Sequence, residues 1–105
     1  MHGPRMIGPR RQLSIPRRAL LSAGIDVPGR VRFELTDGVV CVRRAEESEE
    51  GAQMLSKVGQ LVTPPWVMQT LGVGVGGAIY ARPRTDAVVE VLAGSRLQFE
   101  SEGAA

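Results

Sequence analysis

At 105 residues with a net charge of +2, the chain has room for one compact domain, or for two very small units that share a core. Its hydrophobic fraction of 43 % is ordinary for a globular protein, but aromatics make up only 4 %, so Val, Leu, Ile and Met must fill the interior. No apolar run approaches the roughly 20 residues that cross a bilayer, and one cysteine with one histidine excludes a metal site built on Cys and His spacing.

The charge is unevenly spread. Residues 1–44 hold nine Arg against Asp26, Glu34 and Asp37, which gives 9 − 3 = +6. The segment 45–52 carries Glu46, Glu47, Glu49 and Glu50, and the rest of the chain sums to zero. A basic first half joined to a neutral second half points to a polyanionic partner for the first. The start of the chain lacks a continuous apolar block, so a secretory signal is not expected and the cytoplasm is the expected location.

In chain order, the ends 1–5 and 101–105 read as disordered. A strand is expected over Met6–Ser14, followed by Pro16 at the entry of a short helix, Arg17–Ala23, where a fixed φ and a missing N–H do no harm. Gly24 is a natural left-handed cap. Val31, Phe33 and Leu35 then alternate with Arg30, Arg32 and Glu34, as in a half-buried strand, and Asp37-Gly38 is the two-residue signal of a type I′ hairpin. Val39-Val40-Cys41-Val42 forms its return strand, with Cys41 as a small buried thiol.

Residues 45–52 read as a solvated, flexible linker. The same layout then recurs: a strand over Met54–Val62, a helix over Pro65–Leu71, a cap at Gly72, and a weaker hairpin over Ala78–Pro83 and Ala87–Leu92, with Arg84-Thr85-Asp86 as a longer turn. Sliding the chain by 48 positions aligns residues 11–42 with 59–90 without a gap, at seven identities in 32 positions, where chance supplies about two. Pro16/Pro64, Gly24/Gly72 and Gly29/Gly77 are among them. A unit of about 45 residues buries too little surface to stand alone, so each copy is expected to complete its core with the other.

The run from Arg10 to Leu20, then Ala23 to Phe33, resembles the AbrB/MazE/SpoVT swapped-hairpin family in its basic strand ending in Ile15-Pro16, its basic short helix, its Pro28-Gly29 turn and its Asp-Gly hairpin. The second copy keeps that skeleton but has Gly59, Pro65 and Trp66 where the first has Arg11, Arg17 and Arg18. The resemblance implies a mainly β fold with two short helices, a duplicated swapped-hairpin β-barrel in which one chain forms an intramolecular pseudo-dimer, as in the MraZ-like arrangement. Its parts are a basic repeat at 1–44, the acidic linker at 45–52, a degenerate repeat at 53–97 and a flexible tail at 98–105.

The resemblance also implies a DNA-binding transcription regulator, without cofactor or enzymatic activity. Carried over by position, Arg10, Arg11, Arg17 and Arg18 meet double-stranded DNA, Arg5 joins them from a flexible arm, and Gln12 and Ser14 add neutral hydrogen bonds. Trp66, Val67 and Leu71 in the apolar second half are expected to form an interface, as in a homodimer. The alternatives are an antitoxin that binds a toxin protein and its own operator, and an assembly scaffold that has lost DNA binding.

Overall fold

A computed structural model describes residues 2–84 and 87–94. The elements are β1 (His2–Met6), β2 (Gln12–Ser14), α1 (Arg17–Ser22), β3 (Arg30–Thr36), β4 (Val39–Arg44), β5 (Gln53–Met54), β6 (Gln60–Val62), α2 (Pro65–Leu71), β7 (Ala78–Pro83) and β8 (Val88–Ala93). Six strands form a curled half-barrel in the order β1-β7-β8-β4-β3-β5, and β2 pairs with β6 in a separate two-stranded ribbon. Every ladder is antiparallel. Among the described residues no helix is long and apolar enough to cross a membrane.

The ladders obey the 48-residue offset read from the sequence. Met6 pairs with Ala78 and Arg30 with Met54, and 6 + 48 = 54 while 30 + 48 = 78. Val40 pairs with Val91 and Arg43 with Val88, so the β4–β8 ladder maps onto itself (40 + 48 = 88, 43 + 48 = 91). The ribbon does the same about its central pair, Leu13 and Leu61. Only the hairpins β3–β4 and β7–β8 pair strands of one copy; β1 crosses to β7, β5 crosses to β3, and the ribbon and the β4–β8 seam join the copies.

Local chemistry explains the turns. Both helices end in the same motif: Ile25 N–H reaches Leu20 O at 2.9 Å and Gly24 N–H reaches Leu21 O at 3.0 Å, matched by Val73 to Met68 and Gly72 to Gln69 at 3.1 Å each. Gly24 and Gly72 supply the left-handed residue this closure needs, with φ of 83° and 68°. Asp37 and Gly38 have φ of 52° and 77°, as a type I′ turn requires. The second hairpin lacks that pair. There Arg84 N–H bonds Val88 O at 2.8 Å, and Ile79 pairs with Ala93, one residue beyond the position that matches Val31↔Arg44. Thr85 and Asp86 of that turn, and the tail at 98–105, lie outside the described residues.

The core lies between the half-barrel, the ribbon and the two helices. Leu13 and Leu61 enter it from the ribbon, Ile7 and Leu55 from the segments before it, Val31 and Ile79 from the sheet, and Ala19 and Val67 from the helices, all buried. Phe33 is its one aromatic member among the described residues. Each such aliphatic side chain contributes about 1.5–3 kcal/mol on burial.

Four expectations need correction. The strand expected over Met54–Val62 is two strands, β5 and β6, parted by a turn in which Gly59 N–H bonds Ser56 O at 3.0 Å. The strand expected over Met6–Ser14 is two strands, because 8–11 form a turn in which Arg11 N–H bonds Gly8 O at 2.9 Å and Pro9 has no N–H to give a ladder. The start of the chain, read as disordered, is β1 from His2 onward, ordered by its pairing with β7. The acidic segment 45–52 is not a free joint: Ala45 is buried, Ala45 N–H bonds Arg30 O at 2.9 Å, and Glu49 binds Arg43 at 2.9 Å and Arg32 at 3.3 Å.

Candidate nucleic-acid interface

The loop before β2 projects two arginines. Gly8 N–H donates to Gln12 O at 2.9 Å, and Arg10 N–H donates to Gln12 Oε1 at 2.8 Å, so the Gln12 side chain folds back over the loop it follows. A Cβ at position 8 would come within 2.5 Å of that amide, so any larger residue there would displace the Gln12 side chain. Gln12 thus spends one lone pair of its oxygen on the loop and keeps its amide N–H groups for a partner. Arg11 stands at φ 61°, and its carbonyl accepts Thr63 N–H at 2.8 Å, which clamps the loop against the entry of α2. Arg10 and Arg11 are both exposed.

Beyond β2, Pro16 turns the chain into α1. Ala19 and Leu20 are buried under this helix, and by helical spacing Arg17 and Arg18 are left exposed on its outer side. Arg5, on β1, faces the same region. His2, Gly3, Arg5, Pro16, Arg17 and Arg18 line one open depression of about 470 Å³. The structure thus gathers Arg5, Arg17 and Arg18, and holds Arg10 and Arg11 at the other end of β2. That strand's three residues separate the two groups by roughly 10 Å at about 3.3 Å per residue. Arg5 is not on a loose arm; β1 fixes it.

On the ribbon, Leu13 and Leu61 point inward, so Gln12, Ser14, Gln60 and Val62 share its outer face. Gln60 and Val62 escaped the sequence reading, although the 48-residue offset places them opposite Gln12 and Ser14. His2 was missed because it was assigned to an unordered end.

Among the described residues, the candidate arginines lack the acidic partners that most of the others have. Arg30 lies 4.0 Å from Glu47, Arg32 3.3 Å from Glu49, and Arg43 pairs with both Glu34 and Glu49. Arg44 donates to Gly24 O at 2.8 Å. Arg82 and Arg84 hold Glu90 at 2.5 and 3.0 Å. The hydrogen bonds of Glu49 and Glu34 raise the Arg43 pKa further above its ordinary value. Glu49 is held below the usual glutamate range by the Glu46 N–H and by Arg43. Burial pushes the Glu90 carboxyl up, but the bonds from Arg82 and Arg84 outweigh it and hold the carboxyl low. Among the described residues, Arg5, Arg10, Arg11, Arg17 and Arg18 form no ion pair.

The expected interface of Trp66, Val67 and Leu71 is not one surface. Val67 is fully buried in the core and Leu71 is half-buried against it, because α2 turns both inward; Trp66, 41 % exposed, is the only one of the three at the surface.

No protein-family model matches the chain, and none of the curated proteins matches it.

Proposed function

We propose that the protein is a duplex-DNA-binding transcription regulator built as an AbrB/MazE/SpoVT-like swapped-hairpin pseudo-dimer, with one repeat at 1–44 and a second at 53–97 joined by 45–52. Support for the architecture comes from the ladders: the first strand of each copy pairs with the other copy's hairpin.

The observation that carries the function is the division among the arginines. Those of the hairpins are bonded to carboxylates, apart from Arg44, which is bonded to a carbonyl. The five at the β1, β2 and α1 end stand in solvent without acidic partners among the described residues. Uncompensated guanidinium groups on a rigid frame suit phosphate, which they grip with two parallel hydrogen bonds, and guanine, whose O6 and N7 they read in the major groove. Phosphate contacts set affinity and register, and base contacts set sequence.

The test is a mobility shift with duplex DNA from the region upstream of the protein's own coding sequence, compared with unrelated duplex of equal length. The reading requires retention of both at low salt and of the upstream duplex alone at moderate salt. Retention of neither at low salt refutes it.

A further inference from the structure

We infer that the depression between β1 and α1 is a phosphate-binding pocket, built by Arg5, Arg17 and Arg18, and that the molecule carries it in only one of its two copies. This rests on the DNA-binding reading and specifies which arginines hold a backbone phosphate.

The internal symmetry supplies the comparison. Adding 48 to the six lining positions gives Glu50, Gly51, Gln53, Pro64, Pro65 and Trp66. The residues that shape the backbone are kept: Gly3 is matched by Gly51, both at positive φ, and Pro16 by Pro64, both preceding a helix. The charges are not kept. Three arginines in one copy become Gln, Pro and Trp in the other, and His2 becomes Glu50. The equivalent positions are thus cationic once and slightly anionic once, although β1 begins at His2 while β5 holds only Gln53 and Met54.

Gln53 shows what the position does without a ligand. Its Nε2 donates to Val62 O and its Oε1 accepts Val62 N–H, both at 2.8 Å, so its amide closes the free edge of β6 as a further strand would. Arg5 holds the equivalent position beside β2, where Ser14 corresponds to Val62. A guanidinium has donors only and cannot make that two-way closure. Among the described residues, no hydrogen bond joins Arg5 to Ser14, and the Arg5 side chain lines the depression with Arg17 and Arg18. Three unpaired guanidiniums from two elements line this depression, where the other copy has an edge closed by Gln53. The open depression, about 470 Å³, has room for a phosphate with part of its hydration.

Arg5→Gln installs the residue that position 53 already accommodates, and Arg18→Gln changes an exposed helix position. Each is expected to leave the melting temperature unchanged or higher, weaken a 20-base-pair duplex roughly tenfold, and lower the salt slope by about one. The guanidinium N–H resonances of the wild-type protein, titrated with inorganic phosphate and separately with the duplex, locate the contact. Selective shifts of Arg5, Arg17 and Arg18 with both ligands support the pocket. Shifts with the duplex alone support it and identify the source as the nucleic-acid backbone. Shifts with phosphate alone and no duplex binding keep the pocket and overturn the DNA-binding reading. Phosphate shifts spread evenly over Arg10 and Arg11 as well, or variants that bind duplex as the wild type does, overturn the pocket and leave DNA binding standing.

Discussion

Arg11 and Gly59 occupy equivalent positions in the two copies, and both hold left-handed backbone, with φ of 61° and 78°. Glycine adopts that conformation freely, and at 59 nothing else fits well, since a Cβ there would lie 2.4 Å from Ile15 O. Arginine at 11 bears a strain of about 1–2 kcal/mol. A strained residue that the surrounding structure holds in place is more common at binding sites than elsewhere.

Arg11→Gly is therefore expected to separate stability from binding. Strain relief is partly offset by the greater freedom of glycine in the unfolded chain, so stability should be unchanged or higher by about 1 kcal/mol. Duplex affinity should fall. Chemical denaturation beside a binding titration checks both, and a variant that loses stability while keeping affinity would show that the strained arginine serves the fold alone.

Val67 and Trp66 are neighbours with opposite duties. Val67→Ala removes fully buried methyl groups and should cost about 2 kcal/mol, lowering the melting temperature by about 8–15 °C in a domain of this size. Trp66→Ala leaves no enclosed cavity, since the residue is 41 % exposed, but it truncates a large ring and should cost a comparable amount of about 2 kcal/mol. Calorimetry on Val67→Ala checks the placement of α2; a cost below about 0.5 kcal/mol would contradict it.

Glu90 links stability to pH. Its side chain is only 6 % exposed between Arg82 and Arg84, and its carboxyl is held below the ordinary glutamate value. The unfolded chain thus takes up this proton at higher pH than the folded one. The stabilisation is complete above the usual glutamate range and is lost as pH falls through that range toward the lower folded value. Glu90→Gln should cost about 1–2 kcal/mol at neutral pH, reduced because both arginines are half in water. It should also flatten the acid limb of a stability-versus-pH curve. An unchanged acid limb would mean that other carboxylates carry it.

Much of this architecture was legible because glycine, proline and turn pairs dictate backbone locally. Asp37-Gly38 marks its hairpin, Gly24 and Gly72 end their helices, and the 48-residue offset reappears in every inter-copy ladder. What could not be read came from non-local contacts. The order of β1 depends on β7, about seventy residues away in sequence, and the tie of Glu49 depends on Arg43 and Arg32 on neighbouring strands. The basic residues at the candidate site were visible as a cluster in sequence. Their division into a pocket and a separate loop was not, because it follows from a fold-back at Gly8 that brings Gln12 over its own loop.

The central claim is tested most directly by the salt dependence of duplex binding, measured by fluorescence anisotropy for the wild type and for Arg17→Ala/Arg18→Ala. Five phosphate contacts predict a slope of log K against log salt near −4.5, at about −0.9 per contact, and loss of two should bring it to about −2.7 with the fold intact. A double variant with the wild-type slope and affinity, or a wild type whose binding ignores salt, would contradict the account.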